Sequence, residues 1–503
     1  MTDTVREGRT RPEGFPQSGP AQELIDSGFA LEIADAAFLH HGLNLADLAH
    51  VLDLRRRGIV SAEVAAELLG LLLEVTATPA AEFPYDAAYG EPYNSRERYF
   101  VSRIGDTAGW LHAGRPRREA ARVALRLHLR AQIVELVREA VAAALDLVDR
   151  AEEHAATLLP DQTYLQQAQP STFGHYLLSF AYPTLRDAGR LLRELDEIDA
   201  SPGGAGCVNG TRLLDDRGPI AGALGFDSVI PHTRDAMWQV DGLIHVLAGT
   251  ASLLSNFSKL AEDLEIFSSS EFDLVDLADA YSRSSILMPQ KRNPYALAIV
   301  RGASGVLIGR LTGFLAVTKS PSARSDNLIF AYGEVPRALD LGLRIARLMG
   351  GVLRTLRVNP RRMREELDRG YTQATDLAEH LVELVGVDYR TAYVVVGNVV
   401  REASRTGVAG SAITGAMLDA AAQAHTGRSW GLAELDLGPV LDPRAIVASR
   451  TAEGGAAPAA IASMVAGLRD RLAGLDAEAR SRADHHAAAE AALLDAARAA
   501  STQ

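Results

Sequence analysis

Cysteine is nearly missing from this chain: Cys207 is the only one in 503 residues. A single thiol excludes an intrachain disulfide and any cysteine-based metal site, and it suits a reducing cytoplasm. An excess of positive charge is also missing. Fifty-one Lys and Arg face 64 Asp and Glu, for a formal net charge of −13. That excludes a general nucleic-acid binder, which needs a basic field, but leaves room for a locally basic pocket that takes a small anion. No uninterrupted apolar run reaches the roughly 18 residues that span a bilayer. The first twenty residues, MTDTVREGRTRPEGFPQSGP, lack the apolar stretch of a signal peptide and read as a disordered leader over 1–20. A soluble, cytoplasmic protein with no nucleic-acid or membrane partner is expected.

What remains is ordinary globular material, 47% hydrophobic and 23% charged, arranged with helical periodicity. Between Glu119 and His154 the apolar positions Val123, Leu127, Val134, Val137, Val141, Leu145 and Val148 recur at spacings of three, four and seven. They form one stripe of a continuous rod about 50 Å long. Similar patterns run over Tyr176–Ile198, Arg234–Phe267, Pro294–Thr318 and Gly333–Leu356, with few strand signals between them. The spacing predicts an all-α, elongated bundle whose apolar faces need other subunits to cover them. An N-terminal helical domain (21–118), a central long-helix domain (119–358) and a C-terminal helical domain with its tail (359–503) are expected. From Ala477 the tail reads as an exposed, Ala-rich helix.

The rods are separated by polar islands. Ser284–Pro294 reads SSILMPQKRNP, and two prolines rule out a regular helix through it. A serine hydroxyl acts as a base only where positive charge or backbone donors hold its oxyanion. Lys291 supplies charge, and Asn293 offers both a donor and an acceptor. This set suits removal of a proton from a carbon beside a carboxylate. The alternative is a capping loop, with the serines as N-caps and Pro294 in a first helical turn.

Taken together, the islands resemble a known family. SSILMPQKRNP is similar to the GSSxMPxKxNP signature of the fumarase/aspartase superfamily. Leu111–Arg115 (LHAGR), Gln167–His175 (QAQPSTFGH), Gly203–Thr211 (GGAGCVNGT) and Leu260–Phe272 (LAEDLEIFSSSEF) resemble its argininosuccinate lyase branch. So do Arg301-Gly302, Ala374–Val382 (ATDLAEHLV) and Ser449–Pro458 (SRTAEGGAAP), all in order along the chain. The resemblance implies a three-domain, tetrameric fold in which each active site collects loops from three of four subunits. It implies a reversible anti elimination: a base takes a proton beside a carboxylate, an aci-carboxylate forms, and the C–N bond breaks to leave fumarate. It implies a small dicarboxylate substrate and neither a metal nor an organic cofactor. Carried over by position, Ser285 is the base, while Lys291 and Asn293 stabilise the intermediate. Thr163, Gln166, Arg115 and Arg117 fall on substrate-binding positions.

The departures from the family pattern are informative. Tyr164 stands where the family has a histidine on the acid side of the chemistry, and an ordinary tyrosine pKa of about 10 makes it a different acid. His112 and His175, the nearest histidines at family positions, read as structural hydrogen-bonding residues. The family segment GRSRND is Gly114-Arg115-Pro116-Arg117-Arg118-Glu119 here, so a serine and an asparagine give way to Pro116 and Arg118. A cation at a helix N-terminus opposes the dipole, so Arg118 is expected to meet an anion. In the stretch that grips the amine, Arg324 and Ile329 replace a tyrosine and a glutamine, and Tyr332 or Gly333 replaces a lysine. Family SDRD is Trp238-Gln239-Val240-Asp241, and EDxH is Glu91-Pro92-Tyr93-Asn94. Changes concentrate on the amine side, and each lost buried pair costs about 1–3 kcal/mol.

The expectation is therefore a C–N lyase that releases fumarate and an amine, or another nitrogen leaving group, from an N-substituted aspartate or succinate. Alternatives are an authentic argininosuccinate lyase, a ring-forming cycloisomerase, and a non-catalytic crystallin-like or dicarboxylate-binding relative. Several features read as bland: Asp484-His485-His486 as solvated surface, Cys207 as packing, and Arg55-Arg56-Arg57 as a solvated turn. The glycine-rich stretch Ser201–Thr211 has no strand before it, so it does not read as a phosphate cradle.

Overall fold

The computed structural model describes residues 19–322 and 326–502. Helices α1 (Ala36–Arg56) and α2 (Ala62–Ala77) lead to α3 (Arg117–Glu153), a single rod of 37 residues and about 55 Å. An antiparallel hairpin follows, β1 (Leu158–Thr163) and β2 (Gln166–Thr172), then α4 (Phe173–Ile198) and α5 (Asp241–Phe267). The two-residue strands β3 (Arg283–Ser284) and β4 (Arg292–Asn293) frame the signature loop. Then come α6 (Tyr295–Thr318), α7 (Glu334–Thr355) and, at the C-terminus, α8 (Pro458–Ser501).

The apolar stripe of α3 does what its spacing predicts. Val123, Val134, Val137, Val141 and Val148 are each at most 5% exposed. The last four join residues of α4, α5, α6 and α7 in one long core, and Val123 packs with residues of α1 and α2. Where α4 begins, Thr172 caps it by accepting the His175 N–H. A side chain at Gly174 would collide with the Ala151 carbonyl of α3, so this crossing requires glycine.

Three elements differ from the periodic reading. The expected rod Arg234–Phe267 is broken: a short helix, Thr233–Trp238, ends before α5 starts. The Met237 carbonyl is taken by Arg122 Nε at 3.2 Å and the Gln239 side chain by Arg126 at 2.5 Å, while the Gln239 backbone leaves the helical region, with φ −56° and ψ 129°. The island after α3 is a β-hairpin rather than irregular punctuation. The Ala-rich tail is exposed over much of its surface but buries one stripe. It belongs to the 44-residue helix α8, which buries Leu468, Leu472 and Ala479 on the central bundle and Leu493, Ala497 and Ala500 against α1 and α2. Alanine's small side chain hides the stripe in the sequence but lets helices approach closely.

Helix α6 is long and apolar enough, by length and composition, to cross a membrane, although Arg301 and Arg310 interrupt it. Ile299, Val306, Ile308 and Leu315 are each 40–52% exposed along it. Helices Ala374–Val385, Tyr389–Thr406 and Gly415–Thr426 pack around a separate core of their own.

Candidate active site

At the serine end of the bundle the signature segment is a hairpin loop. Its neck pairs Arg283 with Asn293 and Ser284 with Arg292. The register continues one step further, since the Ser285 N–H donates to the Lys291 carbonyl at 3.0 Å. Side chains alternate along a strand, so Ser285, Lys291, Asn293 and Arg283 share one face of this hairpin. Directly opposed residues in such a pair bring their Cβ atoms to about 5 Å, which sets Lys291 beside Ser285. The other face holds Arg292, whose guanidinium clamps the neck to Asp276 and Asp279.

The Ser285 hydroxyl oxygen accepts the Met288 backbone N–H at 3.0 Å. A donor at this position stabilises an alkoxide as it forms. Asn293 Nδ2 donates to the Arg283 carbonyl at 3.1 Å and holds the strand end. Beyond the neck, Ile286 and Leu287 project fully into solvent, at 103% and 85% exposure. Arg283 was not singled out from the sequence. Reading SRSSI and KRN with a period of two, rather than as a linear motif, would have found it.

The hairpin β1–β2 carries the second group. Thr163 pairs with Gln166, so Tyr164 and Leu165 form a two-residue turn with φ of 54° and 58°. Such turns favour Asn and Gly; a non-glycine residue in this region costs about 1–3 kcal/mol. Tyr164 is 99% exposed at the tip, beside exposed Thr163 and Gln166. His175 bonds Ser171 Oγ and the Gly454 carbonyl, and His112 lies 3.3 Å from Glu97, so both have structural partners.

The arginines sit elsewhere. Arg115 turns inward: it donates to Asp47 at 2.5 Å, to the Tyr93 hydroxyl at 2.7 Å and to the carbonyls of Ala46 and Leu111. Arg96 grips the same Asp47, so this arginine pair holds the N-terminal helices to the start of α3. Burial alone would raise the Asp47 pKa, but Arg115 and Arg96 together hold it below the usual carboxylate value. Arg117 instead reaches the surface, bonded to Asn94 and 3.4 Å from Glu91. Arg118 lines two cavities, and Arg324 lies outside the described residues.

Glu119 holds the glycine-rich loop over this region by accepting the N–H groups of Gly204 and Gly206 at 2.6 and 2.7 Å. Both glycines have positive φ, and burial raises the Glu119 pKa despite those bonds. Cys207, expected to pack, is exposed with φ of 83° and lines a cavity with Arg117, Arg118 and Trp238. In α8, His486 does not sit on solvated surface but bonds Asp199, which is fully buried and also held by Arg130. Arg57 is 12% exposed between Asp53 and Asp215 rather than solvated.

The two groups stand at opposite ends of α3. Arg117 begins that helix, whereas the hairpin bearing Thr163 and Tyr164 follows its last turn. A six-residue strand spans about 20 Å and cannot retrace about 55 Å of helix. Helix α5 likewise leaves the arginine end near Trp238, and its last residue, Phe267, meets Tyr176 at the hairpin end before the serine loop begins. One chain therefore carries both halves of the expected site without joining them.

Comparison with known proteins agrees with this architecture. The chain matches the family described as Lyase over residues 61–309 and that described as Argininosuccinate lyase C-terminal over 371–448. It is 33% identical over 477 residues to an argininosuccinate lyase of Methanoculleus marisnigri, covering 94% of each chain. The corresponding enzyme of Symbiobacterium thermophilum is 33% identical over 449 residues, covering 89% of this chain and 95% of that one. Among solved structures, an EDDS lyase in complex with formate superposes with a TM-score of 0.86 at 27% identity, covering 97% of both chains. A fumarate lyase from Mesorhizobium, at 19% identity and a TM-score of 0.71, shares the fold. The chain belongs to the argininosuccinate lyase-like branch of the fumarase/aspartase superfamily and is a fumarate-releasing carbon–nitrogen lyase.

Proposed function

We propose that the protein eliminates an amine, or another nitrogen leaving group, from an N-substituted aspartate or related succinate and releases fumarate. Ser285 is the base. It takes the proton from the carbon beside one substrate carboxylate, and Lys291 and Asn293 hold the doubly charged aci-carboxylate that results. The C–N bond then breaks, its electron pair leaves with nitrogen, and a proton is delivered to that nitrogen. Tyr164 is the candidate acid, and its backbone conformation presents the phenol at the tip of a hairpin. Thr163 and Gln166 bind substrate beside it. Arg117 and Arg118 orient carboxylate from the far end of another copy, and Arg115 acts through them by fixing the start of α3.

The observation that carries this reading is the shared hairpin face of Ser285, Lys291 and Asn293, with the Met288 N–H on the serine oxygen. The separation of the two halves supports assembly of the site between copies, as a homotetramer with three chains at each site. The open apolar face of α6 supports the same assembly: Gly302, Gly305, Gly309 and Gly313 have open space where a side chain would stand, so another helix can come close. The single cysteine supports a cytoplasmic protein.

A screen of N-substituted aspartates for fumarate release, followed by ultraviolet absorbance, tests the proposal. One or more should be turned over by the wild type and by no Ser285→Ala protein; equal turnover by the variant removes Ser285 from the base role. Similarity to argininosuccinate lyases favours argininosuccinate as a second candidate substrate. Turnover of it at ordinary enzymatic rates would select that reading.

A further inference from the structure

Four arginines gather on one small area of a chain whose net charge is −13. Arg186, Arg190 and Arg193 lie on α4 at spacings of four and three, so they form a row along one face of that helix over about 10 Å. Arg471 meets them from α8. Together they line a cavity of about 390 Å³ between the two helices, and among the described residues no Asp or Glu lines it. Gly189 opens its floor: a Cβ there would stand 3.6 Å from Arg193 Nη1 and 3.8 Å from Leu475, and any longer side chain would fill the space.

The charge of this cluster is largely unanswered. Among the described residues, Arg186, Arg193 and Arg471 have neither a hydrogen-bond nor an ion-pair partner. Arg190 pairs with Asp187, but that carboxylate is 2% exposed and also accepts Ser252 Oγ at 2.8 Å and Asn256 Nδ2 at 2.7 Å, so it is shared with α5. On α8, Asp476 is taken by Arg138 and Arg480, and Asp470 is turned about 100° around the helix from Arg471. Other arginines of α8 find carboxylates: Arg469 reaches Asp149, and Arg482 reaches Asp196. Like charges three and four residues apart on a helix repel, so this row costs stability until an anion joins it.

We propose that this cavity binds a polyphosphate chain, free or carried by a nucleotide. Guanidinium groups bond phosphate oxygens bidentately, and three of the four here have all their donors to give. The row on α4 runs over two helical turns, so one phosphate ion meets only part of it. A chain of two or three phosphates spreads its charge along the row and still faces Arg471 across the cavity. None of the residues assigned to the lyase chemistry lines this space, so the inference stands independently of that reading.

The test measures binding of orthophosphate, pyrophosphate, triphosphate, ATP and citrate to the full chain by calorimetry. Triphosphate should bind about tenfold or more tightly than orthophosphate, more tightly than citrate (a compact trianion), and less tightly as sodium chloride is raised. The double variant Arg193→Gln with Arg471→Gln should lose about tenfold or more of the triphosphate affinity. Without ligand its melting temperature should be unchanged or higher, because repulsion is relieved. Arg117→Ala, at the start of α3, should bind triphosphate as the wild type does. ATP bound more tightly than triphosphate identifies the nucleotide as the source of the chain, and ATP bound equally or less tightly identifies the free chain; either result sustains the site. Triphosphate bound no better than orthophosphate or citrate, or bound equally by the double variant, overturns it. Loss of binding in Arg117→Ala overturns it as well, since the anion then sits at the arginine end of α3. Dissociation of the double variant in sedimentation does the same, since another copy then covers the cluster.

Discussion

The two ends of α3 make opposite use of charge. At the serine end the functional groups are open: Lys291 and Arg283 are exposed, Ser285 is half-buried, and Tyr164 stands out in solvent. At the arginine end they are enclosed, with Arg115 locked on Asp47 and Arg122 buried beneath Tyr332. An open set of donors on a narrow hairpin can move onto a substrate, whereas an enclosed set fixes shape and charge in advance. The difference teaches that the candidate base and the candidate carboxylate-binding arginines lie apart along the rod, in surroundings of opposite kind.

Breaking the serine end gives the largest expected effect. Ser285→Ala should lower fumarate release by about 10⁴-fold, the range of a lost general base, while circular dichroism and melting temperature stay unchanged. Ser285 is half-buried, and the Met288 N–H it accepts lies in an open loop, so the fold does not depend on it.

Breaking the enclosed end should act on stability first. Asp47→Ala leaves Arg96 and Arg115 buried without their counter-ion, and a loss of about 3–5 kcal/mol is expected in chemical denaturation. Asp47→Asn, which keeps some of the hydrogen bonds, should lose less.

A smaller effect is expected where α8 closes on the arginine end. His486→Ala removes one of two partners of buried Asp199 and should cost about 1–3 kcal/mol. Burial pushes the Asp199 pKa up, but His486 and Arg130 together bring it below the ordinary value. A depressed carboxylate contributes stability that is present above its unfolded pKa and fades as pH falls through its folded pKa. The cost of His486→Ala, measured as a melting temperature, should therefore shrink on acidification through the carboxylate range.

The smallest effect should come from Tyr164→Gly at the hairpin tip. Glycine accepts positive φ, so a gain of about 1 kcal/mol in stability is expected, together with a fall in turnover. A variant that gains stability and keeps full activity would remove Tyr164 from the chemistry.

Much of this was legible in the sequence, for reasons that differ by element. The long apolar periodicities of α3, α4 and α7 report burial directly, that of α6 reports both a buried and an open apolar face, and the boundaries of all four fall within a few residues of the periodic segments. The stripe of α8 was hidden because alanine carries little hydrophobic signal while packing well. The break at Gln239 was hidden because it depends on Arg122 and Arg126, which lie more than a hundred positions earlier in the chain. In the site, the signature loop was readable because its spacing is local. The inward turn of Arg115 was not, since its partner Asp47 is 68 residues away.

The most direct test of a site shared between the two ends is complementation. Ser285→Ala and Arg117→Ala proteins, each inactive alone, are unfolded, mixed and refolded together, and fumarate release is compared with that of each variant refolded separately. The mixture should regain a measurable share of wild-type activity, because some sites then join an intact serine loop to an intact Arg117 from different chains. A mixture no more active than its components would contradict the account.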